Sequence, residues 1–188
     1  MKDLLFLDTE FTGLHKDTTL ISLALVDKQN RYFYAEFTDY DKYQVDKWIK
    51  NNVIKHLLLD DKTATEDKHY YEKSFNGKNF YSIKVKGNTN QIKHELIKWL
   101  KQYNEIEIWS DCLSYDWVLF NNIFGSAFAI PENIYYIQFD ICTYFKLKNI
   151  DPDITREEFI DHKIKGKKHN CLYDAKMIKA CYEKLLTF

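Results

Sequence analysis

The chain has 188 residues, 45% of them apolar and 29% charged, and these proportions are typical of a globular protein and exclude collagen-like, disordered and coiled-coil chains. Its 27 basic and 28 acidic residues give a net charge of −1, which excludes tight nonspecific binding to long duplex nucleic acid through summed phosphate neutralisation. A small or single-stranded polyanion held at a local site is still compatible with this charge.

The first half of the chain predicts three strands and then a helix. Apolar runs and alternating residues indicate the strands, and apolar residues at helical spacing around Trp48 indicate the helix. We expect strands at 4–8, 20–26 and 31–37, a helix at about 44–58, a loop at 60–80 and a short strand near 80–85.

The second half predicts helices that alternate with strands. We expect a helix around 92–100, a strand at 105–110, a helix at 115–124, a strand at 134–139, a short helix at 141–147, a basic loop at 163–168 and a final helix at 172–185. This order predicts an α/β fold with a mixed β-sheet flanked by helices. Outside the 60–90 region no boundary divides the chain, so we expect a single domain over 1–188.

The sequence gives no sign of a membrane segment or of bridged cysteines. The longest apolar run, 20–26, is far too short to span a bilayer, and no signal peptide is present. The four cysteines show no C-x-x-C spacing, which favours reduced thiols over a zinc finger or redox pair. We therefore expect a cytoplasmic protein without a membrane partner.

Asp8 and Glu10 form a D-x-E pair at the end of the first strand. Residues i and i+2 of a strand point to the same face, so the two carboxylates repel each other unless a cation lies between them. Hard oxygen ligands at this spacing suit Mg²⁺ or Mn²⁺. The alternative is a pair of solvated acids where a strand meets a loop.

Two further places carry acids that suit a site. Asp116 lies at the first turn of an apolar helix, where it could also be a cap or dipole partner, and Asp111 is a competing acid nearby. Asp174 lies within the last helix on the face of Ile178, with His169 five residues upstream. Core-facing acids are rare unless paired or metal-bound, although an exposed histidine and a solvated aspartate are the alternative.

Together these positions give the chain a family resemblance. The D-x-E-x-T-G-L segment at 8–14, the segment around Asp116 and the H-N-x-L-x-D-A segment at 169–175 resemble the three motifs of the DEDD exonucleases. These have a ribonuclease H-like fold. The histidine-bearing DEDDh branch fits, because the place of the other branch's tyrosine is Asn170. A closer likeness, in the strand–turn–Y-A segment and the helix with Trp48, is to a small group of bacterial and phage 3′–5′ exoribonucleases.

The resemblance implies hydrolysis of a phosphodiester with two bound Mg²⁺ or Mn²⁺ ions. It implies that Asp8 bridges both ions, that Glu10 and Asp174 complete the first site and that Asp116 holds the second through water. It implies that His169 is the general base.

The resemblance also places the 3′ end of the substrate beside the first motif. Leu14 would wedge against the last base, Thr12 would contact the 3′ sugar, and Phe11 and Tyr115 could stack on bases. The alternative for the two aromatic rings is an ordinary place in the core. The lysines of the basic loop could attract the phosphate backbone or only be solvated; they are Lys163, Lys165, Lys167 and Lys168.

The function expected from the resemblance is a metal-dependent 3′–5′ exoribonuclease that releases nucleoside monophosphates from RNA 3′ ends. A single-stranded DNA exonuclease is the nearest alternative, because no residue reads a 2′-hydroxyl unambiguously. Two further hypotheses are a non-catalytic nucleic-acid-binding module and a partner-binding protein with an aromatic surface. Family members often pair, and the helix with Trp48 is the candidate surface for a homodimer.

Overall fold

The computed structural model describes the backbone of residues 2–59, 66–75 and 78–188 and the side chains of residues 2–59 and 80–188. Its strands are β1 Asp3–Phe11, β2 Leu20–Asp27, β3 Tyr32–Phe37, β4 Glu66–Phe75, β5 Lys78–Gly87, β6 Ile106–Ser110 and β7 Phe139–Asp140. In this part of the chain they form one seven-stranded sheet in the order β4-β5-β3-β2-β1-β6-β7. β1 pairs antiparallel with β2 and parallel with β6, so the sheet is mixed.

Helices flank the sheet on both faces. They are α1 Lys47–Asn52, α2 Thr89–Leu100, α3 Leu113–Phe124, α4 Ile141–Leu147, α5 Arg156–Phe159 and α6 Cys171–Leu185. Residues of α2 and α3 form a core with one face of the sheet, and residues of α4, α5 and α6 form a core with the other. The predicted α/β fold with a mixed sheet and flanking helices is confirmed, and it is consistent with a ribonuclease H-like arrangement.

The side chains of β1 alternate between the two cores. Leu5 and Leu7 pack on the side of α2 and α3, whereas Leu4 and Phe6 pack on the side of α6. The period of two continues to the end of the strand, so the acids that follow Phe6 at every second position belong to the α6 side. The apolar side chains and the acids of β1 therefore follow the same alternation between the two faces of the sheet.

The predicted helix at 44–58 is wrong in its length. Two 3₁₀ turns, Lys42–Gln44 and Ile54–His56, flank the short α1. Asp46 is the N-cap of α1 and accepts a hydrogen bond from the Ile49 backbone N–H at 2.7 Å, so the α-helix begins only after the cap. The apolar spacing that predicted one long helix instead buries Ile49 and Val53 against Ile21.

The loop predicted at 60–80 is also wrong where the structure describes it. Residues 66–75 form β4, which pairs antiparallel with β5, while residues 60–65 and 76–77 lie outside the described residues. β4 is at the edge of the sheet, and edge strands commonly carry charged residues that prevent aggregation. The sequence EDKHYYEKSF therefore lacks the apolar pattern of a buried strand. The strand predicted near 80–85 is confirmed as part of β5.

The strand predicted at 134–139 pairs with β6 at only two points. Ile134 makes an isolated bridge to Ile106, and the two-residue β7 pairs with Trp109 and Ser110. Between these points Tyr136 is 70% exposed, so an apolar stretch that predicts a buried strand lies partly at the surface. Among the described residues, no helix has the length and apolar character needed to span a bilayer.

Candidate active site

Asp8 and Glu10 lie at the carboxyl end of β1, beyond its last paired position with β6. That last pair is Phe6 with Trp109, while β2 accompanies β1 to its end. Because β1 and β6 are parallel, the residues that follow both strands meet at one edge of the sheet. Asp111 follows β6 directly, and α3 begins two residues later.

The N-terminus of α6 brings a third element to this edge. Asn170 is the N-cap: its side-chain oxygen accepts from the Tyr173 N–H at 3.3 Å, and its amide donates to the His56 carbonyl at 2.9 Å. This cap fixes where the helix starts. Asp174 then lies in the first turn of α6, and His169 precedes the cap with a positive φ of 62°.

The four predicted acids and Asp111 form two groups that share Asp8. One carboxylate oxygen from each of Asp8, Glu10 and Asp174 lies within 4.8 Å of the others, and the same holds for Asp8, Asp111 and Asp116. The structure thus brings together acids from β1, the β6–α3 connection, α3 and α6. Asp8 is the only member of both groups that these residues form.

Asp116 enters its group from the opposite face of the sheet. Its side chain is fully buried, and the Thr9 hydroxyl donates to its Oδ1 at 2.7 Å. Its Oδ2 is buried and has no hydrogen-bond partner within residues 2–59 and 80–188. A buried carboxylate oxygen without a partner is costly, so this atom indicates that a cation or proton belongs beside it.

Burial and mutual repulsion disfavour the charged forms of these acids. Burial, and then the Asp174 charge, raise the pKa of Glu10 to about 8, and burial raises the pKa of Asp116 to about 8 and that of Asp174 to about 7. The pKa of Asp8 lies well above its usual range, mainly through burial and then through the Asp116 charge. Without cations, this cluster therefore holds protons at neutral pH.

These features fit divalent metal ions. Clustered carboxylate oxygens are the ligands that Mg²⁺ and Mn²⁺ prefer, and the partnerless Oδ2 of Asp116 gives an ion a place to bind. Two basic side chains lie near these acids: Arg156, whose Nε lies 3.5 Å from Oδ2 of Asp111, and the exposed Lys168, whose charge acts on Asp174. The residues thus fit two cations that would share Asp8 as a ligand.

His169 stands next to the acids in a setting that keeps it neutral. Burial first, and then the positive charge of Lys168, lower the pKa of His169 below its usual value. Its ring meets Trp48 edge to face, with 5.0 Å between the ring centroids. Trp48, on α1, therefore limits where the imidazole can turn.

Four of the five acids line a cleft of about 710 Å³, and the fully buried Asp116 does not. Phe11 and Leu14 line it, and Leu14 is 73% exposed. Tyr115 is not among the lining residues, but its ring stacks on Phe11 with centroids 5.2 Å apart. Contact of these three side chains with a substrate stays a prediction.

Thr12 is buried and already has partners. Its hydroxyl lies within hydrogen-bond distance of Thr18, Thr19 and the Gln44 side chain, and it accepts from the Thr19 N–H at 2.8 Å. These bonds hold the loop after β1 against the 3₁₀ turn before α1. Contact of Thr12 with a 3′ sugar stays a prediction. To make this contact, the hydroxyl would have to give up one of its present hydrogen bonds.

The basic loop contributes one lysine to the cleft. Lys168 lines the cleft beside His169, whereas Lys163, Lys165 and Lys167 are exposed and do not line it. An approaching phosphate backbone would thus meet Lys168 first.

Sequence reasoning missed two residues of this site and ranked a third too low. The order of strand and helix could not show that Thr9 supports Asp116 or that Trp48 packs on His169, because both contacts join elements far apart in the chain. Asp111 was visible as an acid directly after a predicted strand. Its position at the end of a strand could have identified it, because the carboxyl ends of neighbouring parallel strands meet at one edge of the sheet.

Comparison with known families decides where the chain belongs. The model of the family described as "3′-5′ exoribonuclease Rv2179c-like domain" matches residues 3–186. The chain belongs to the Rv2179c-like family. Its match covers all the elements described above, from β1 to α6.

Membership of the Rv2179c-like family indicates a 3′–5′ exoribonuclease activity and an RNA substrate. The resemblance to 3′–5′ exoribonucleases drawn from the motifs is confirmed at this level. No curated protein matches the chain significantly.

Proposed function

We propose that this chain is a metal-dependent 3′–5′ exoribonuclease of the DEDDh type, acting as a single domain over 1–188 and releasing nucleoside 5′-monophosphates. The observation that carries the proposal is the meeting of the acids of β1, α3 and α6 around Asp8, with His169 beside them. The family match supports the direction and the substrate.

The two groups of acids correspond to two cation sites. Asp8, Glu10 and Asp174 would hold one Mg²⁺ or Mn²⁺ ion, and Asp8 with Asp116 would hold the second. When bound, such ions lower the pKa of an attacking water and stabilise the charge that develops on the phosphate. The chain itself needs no large basic surface for this, which agrees with its net charge of −1.

His169 is the proposed general base. Its imidazole is neutral at pH 7, because burial and Lys168 lower its pKa, and only a neutral imidazole can accept a proton from the attacking water. Trp48 packs on the ring and orients it.

The wall of the cleft beside Glu10 is the proposed binding place of the terminal nucleotides. Phe11, supported from behind by Tyr115, offers a ring for base stacking, and the exposed Leu14 offers an apolar wedge. Stacking on aromatic rings is worth about 1–3 kcal/mol per base and tolerates any base. Such a wall binds RNA ends without selecting a sequence.

The proposal is tested with an RNA oligomer labelled at its 5′ end. With Mn²⁺ or Mg²⁺ we expect shortening from the 3′ end and release of nucleoside 5′-monophosphates, and we expect neither with EDTA or with Asp174→Asn. A 3′-phosphorylated oligomer is the matched control for the direction of attack.

Three results would contradict the proposal in different ways. Cleavage within the oligomer would refute the exonuclease mode, and binding without cleavage would favour a non-catalytic module. Faster shortening of a DNA oligomer of the same sequence would favour the single-stranded DNA exonuclease.

A further inference from the structure

Asp111 lies where the pairing of β1 and β6 would place it beside Asp8. The parallel register pairs Phe6 with Trp109, and two residues further along both strands are Asp8 and Asp111. Phe6 packs in the core on the α6 side, with Trp109 against it, and residues at i+2 share that face. Two carboxylates thus stand side by side on neighbouring strand ends.

Asp116 closes this arrangement with an atom that lacks a partner. Oxygens of Asp8, Asp111 and Asp116 lie within 4.8 Å of one another, and Oδ2 of the fully buried Asp116 has no hydrogen-bond partner among the side chains and backbone that the structure describes. Two further carboxylates beside this oxygen would add electrostatic repulsion unless a cation lay between the three acids.

Arg156 stands behind Asp111 and is fixed by other contacts. Its Nη1 donates to the carbonyls of Pro152 and Ile154 at 3.0 and 2.9 Å, and its Nη2 donates to Sγ of Cys142 at 3.0 Å. Its Nε lies 3.5 Å from Oδ2 of Asp111. The ion pair therefore joins Nε of Arg156 to Oδ2 of Asp111 at a distance longer than a normal hydrogen bond.

Asp111 raises the negative charge of the site. With it the clustered carboxylates are Asp8, Glu10, Asp111, Asp116 and Asp174. Arg156 beside Asp111 and the exposed Lys168 of the same cleft offset part of this charge, and the net negative charge that is left favours divalent cations.

We infer that Asp111 is a fifth metal-ligating carboxylate, which completes with Asp8 and Asp116 the second divalent-cation site. The inference rests on the proposed function, because it assumes that this cluster binds metal. Arg156 pairs with Asp111 and offsets part of the negative charge of the site.

The test is titration of the metal-free full chain with Mn²⁺, followed by calorimetry. We expect two ions per chain for the wild type, and for Asp111→Asn a loss of at least about 100-fold in the affinity of one of them, because losing a direct ligand should cost more than the roughly 10–100-fold typical of losing an outer partner. Asp153→Asn is the matched control, since it removes an exposed acid of the same cleft and should bind both ions with wild-type affinity.

Arg156→Gln separates ligation from a merely structural ion pair. If Asp111 serves only to pair with Arg156, breaking the pair from either side should change Mn²⁺ binding equally. We expect Arg156→Gln to keep or tighten the second ion, because it removes a positive charge and leaves the carboxylate. This variant also tests the inference if Asp111→Asn does not fold.

The outcomes distinguish this inference from the proposed function. Two ions bound by Asp111→Asn as tightly as by Asp153→Asn would overturn the role of Asp111 and leave the proposed function standing. A wild type that binds no Mn²⁺, or binding that Asp8→Asn leaves unchanged, would overturn the proposed function and with it the inference.

Discussion

Thr9 shows how a single strand supplies both faces of this site. The acids on either side of it point toward α6, while its own hydroxyl points the other way and fixes Oδ1 of Asp116 at 2.7 Å. Oδ1 of Asp116 is thereby hydrogen-bonded, and Oδ2 has no hydrogen-bond partner among the described residues and is available to a cation. The middle residue of the D-x-E motif is thus a positioning residue for an acid more than a hundred positions away.

His169 provides the first prediction at this scale. We expect His169→Ala to lower kcat on RNA by about 10²–10⁴-fold, the usual contribution of a general base, and to leave Mn²⁺ binding intact. Steady-state release of nucleoside monophosphates measures the effect. His162→Ala, which removes an exposed histidine of the same connection, is the control, and equal turnover by the two variants would rule out the role of His169.

The sequence predicted the individual acids better than it predicted their partners. Asp8, Glu10 and Asp174 follow from local spacing, because a strand repeats every two residues and a helix turn places an acid against the core. Asp111 and Asp116 are five residues apart, and local pattern favoured one of them. The structure gathers both, since the end of β6 and the first turn of α3 meet at the same strand end.

At the scale of elements, the connection before α6 is held in place by a tight contact. Gly166 has a φ of 151°, and a Cβ added there would lie 2.5 Å from Cδ2 of Tyr173 in the first turn of α6. This close approach fixes the path of the backbone from Gly166 to α6, and so the positions of Lys168 and His169.

We therefore expect Gly166→Ala to shift this connection. It should destabilise the fold by about 1–3 kcal/mol and lower kcat/KM on RNA by about 10–100-fold, because small displacements of reacting groups have large effects on rate. Gly125→Ala is the matched control: its φ is 96° and its added Cβ would meet nothing within 4 Å. It should lose stability in urea denaturation and keep its turnover, and a Gly166→Ala variant with wild-type turnover would contradict the prediction.

Secondary structure was predicted well where the apolar pattern matches the element and poorly at β4 and near β7. β2 and α6 are buried along most of their length, and the apolar run of β2 and the helical spacing of α6 were visible in the sequence. The edge strand β4 lacks an apolar pattern in its sequence, and the pairing near β7 is interrupted. Around α1 the apolar spacing is real, but it extends over three short segments: a 3₁₀ turn, the capped helix α1 and a second 3₁₀ turn.

For the molecule as a whole, the acid cluster sets how stability depends on pH. In the metal-free protein the pKa values of Glu10 and Asp116 are about 8 and that of Asp174 about 7, above those of the same groups in an unfolded chain. Between about pH 4 and pH 8 the folded chain binds more protons than the unfolded one, so its stability falls as the pH rises.

We expect the metal-free protein to have a lower free energy of unfolding at pH 8.5 than at pH 5.5, measured by urea denaturation in EDTA. Glu10→Gln, which removes one of these acids, should show a smaller fall. Saturating Mn²⁺ should reduce the fall, since an ion present at a hundred times its Kd adds about 2.7 kcal/mol. A wild-type fall no larger than that of Glu10→Gln would contradict this account of the cluster.

The positive φ of His169 has a consequence for any attempt to raise the thermal stability of this protein. A non-glycine residue with a φ of 62° costs roughly 1–2 kcal/mol relative to glycine, which adopts that conformation freely. Selection for heat resistance alone would favour glycine at position 169 and would discard the imidazole with it. If His169 is the general base proposed above, the chain accepts a lower stability at this position in exchange for turnover.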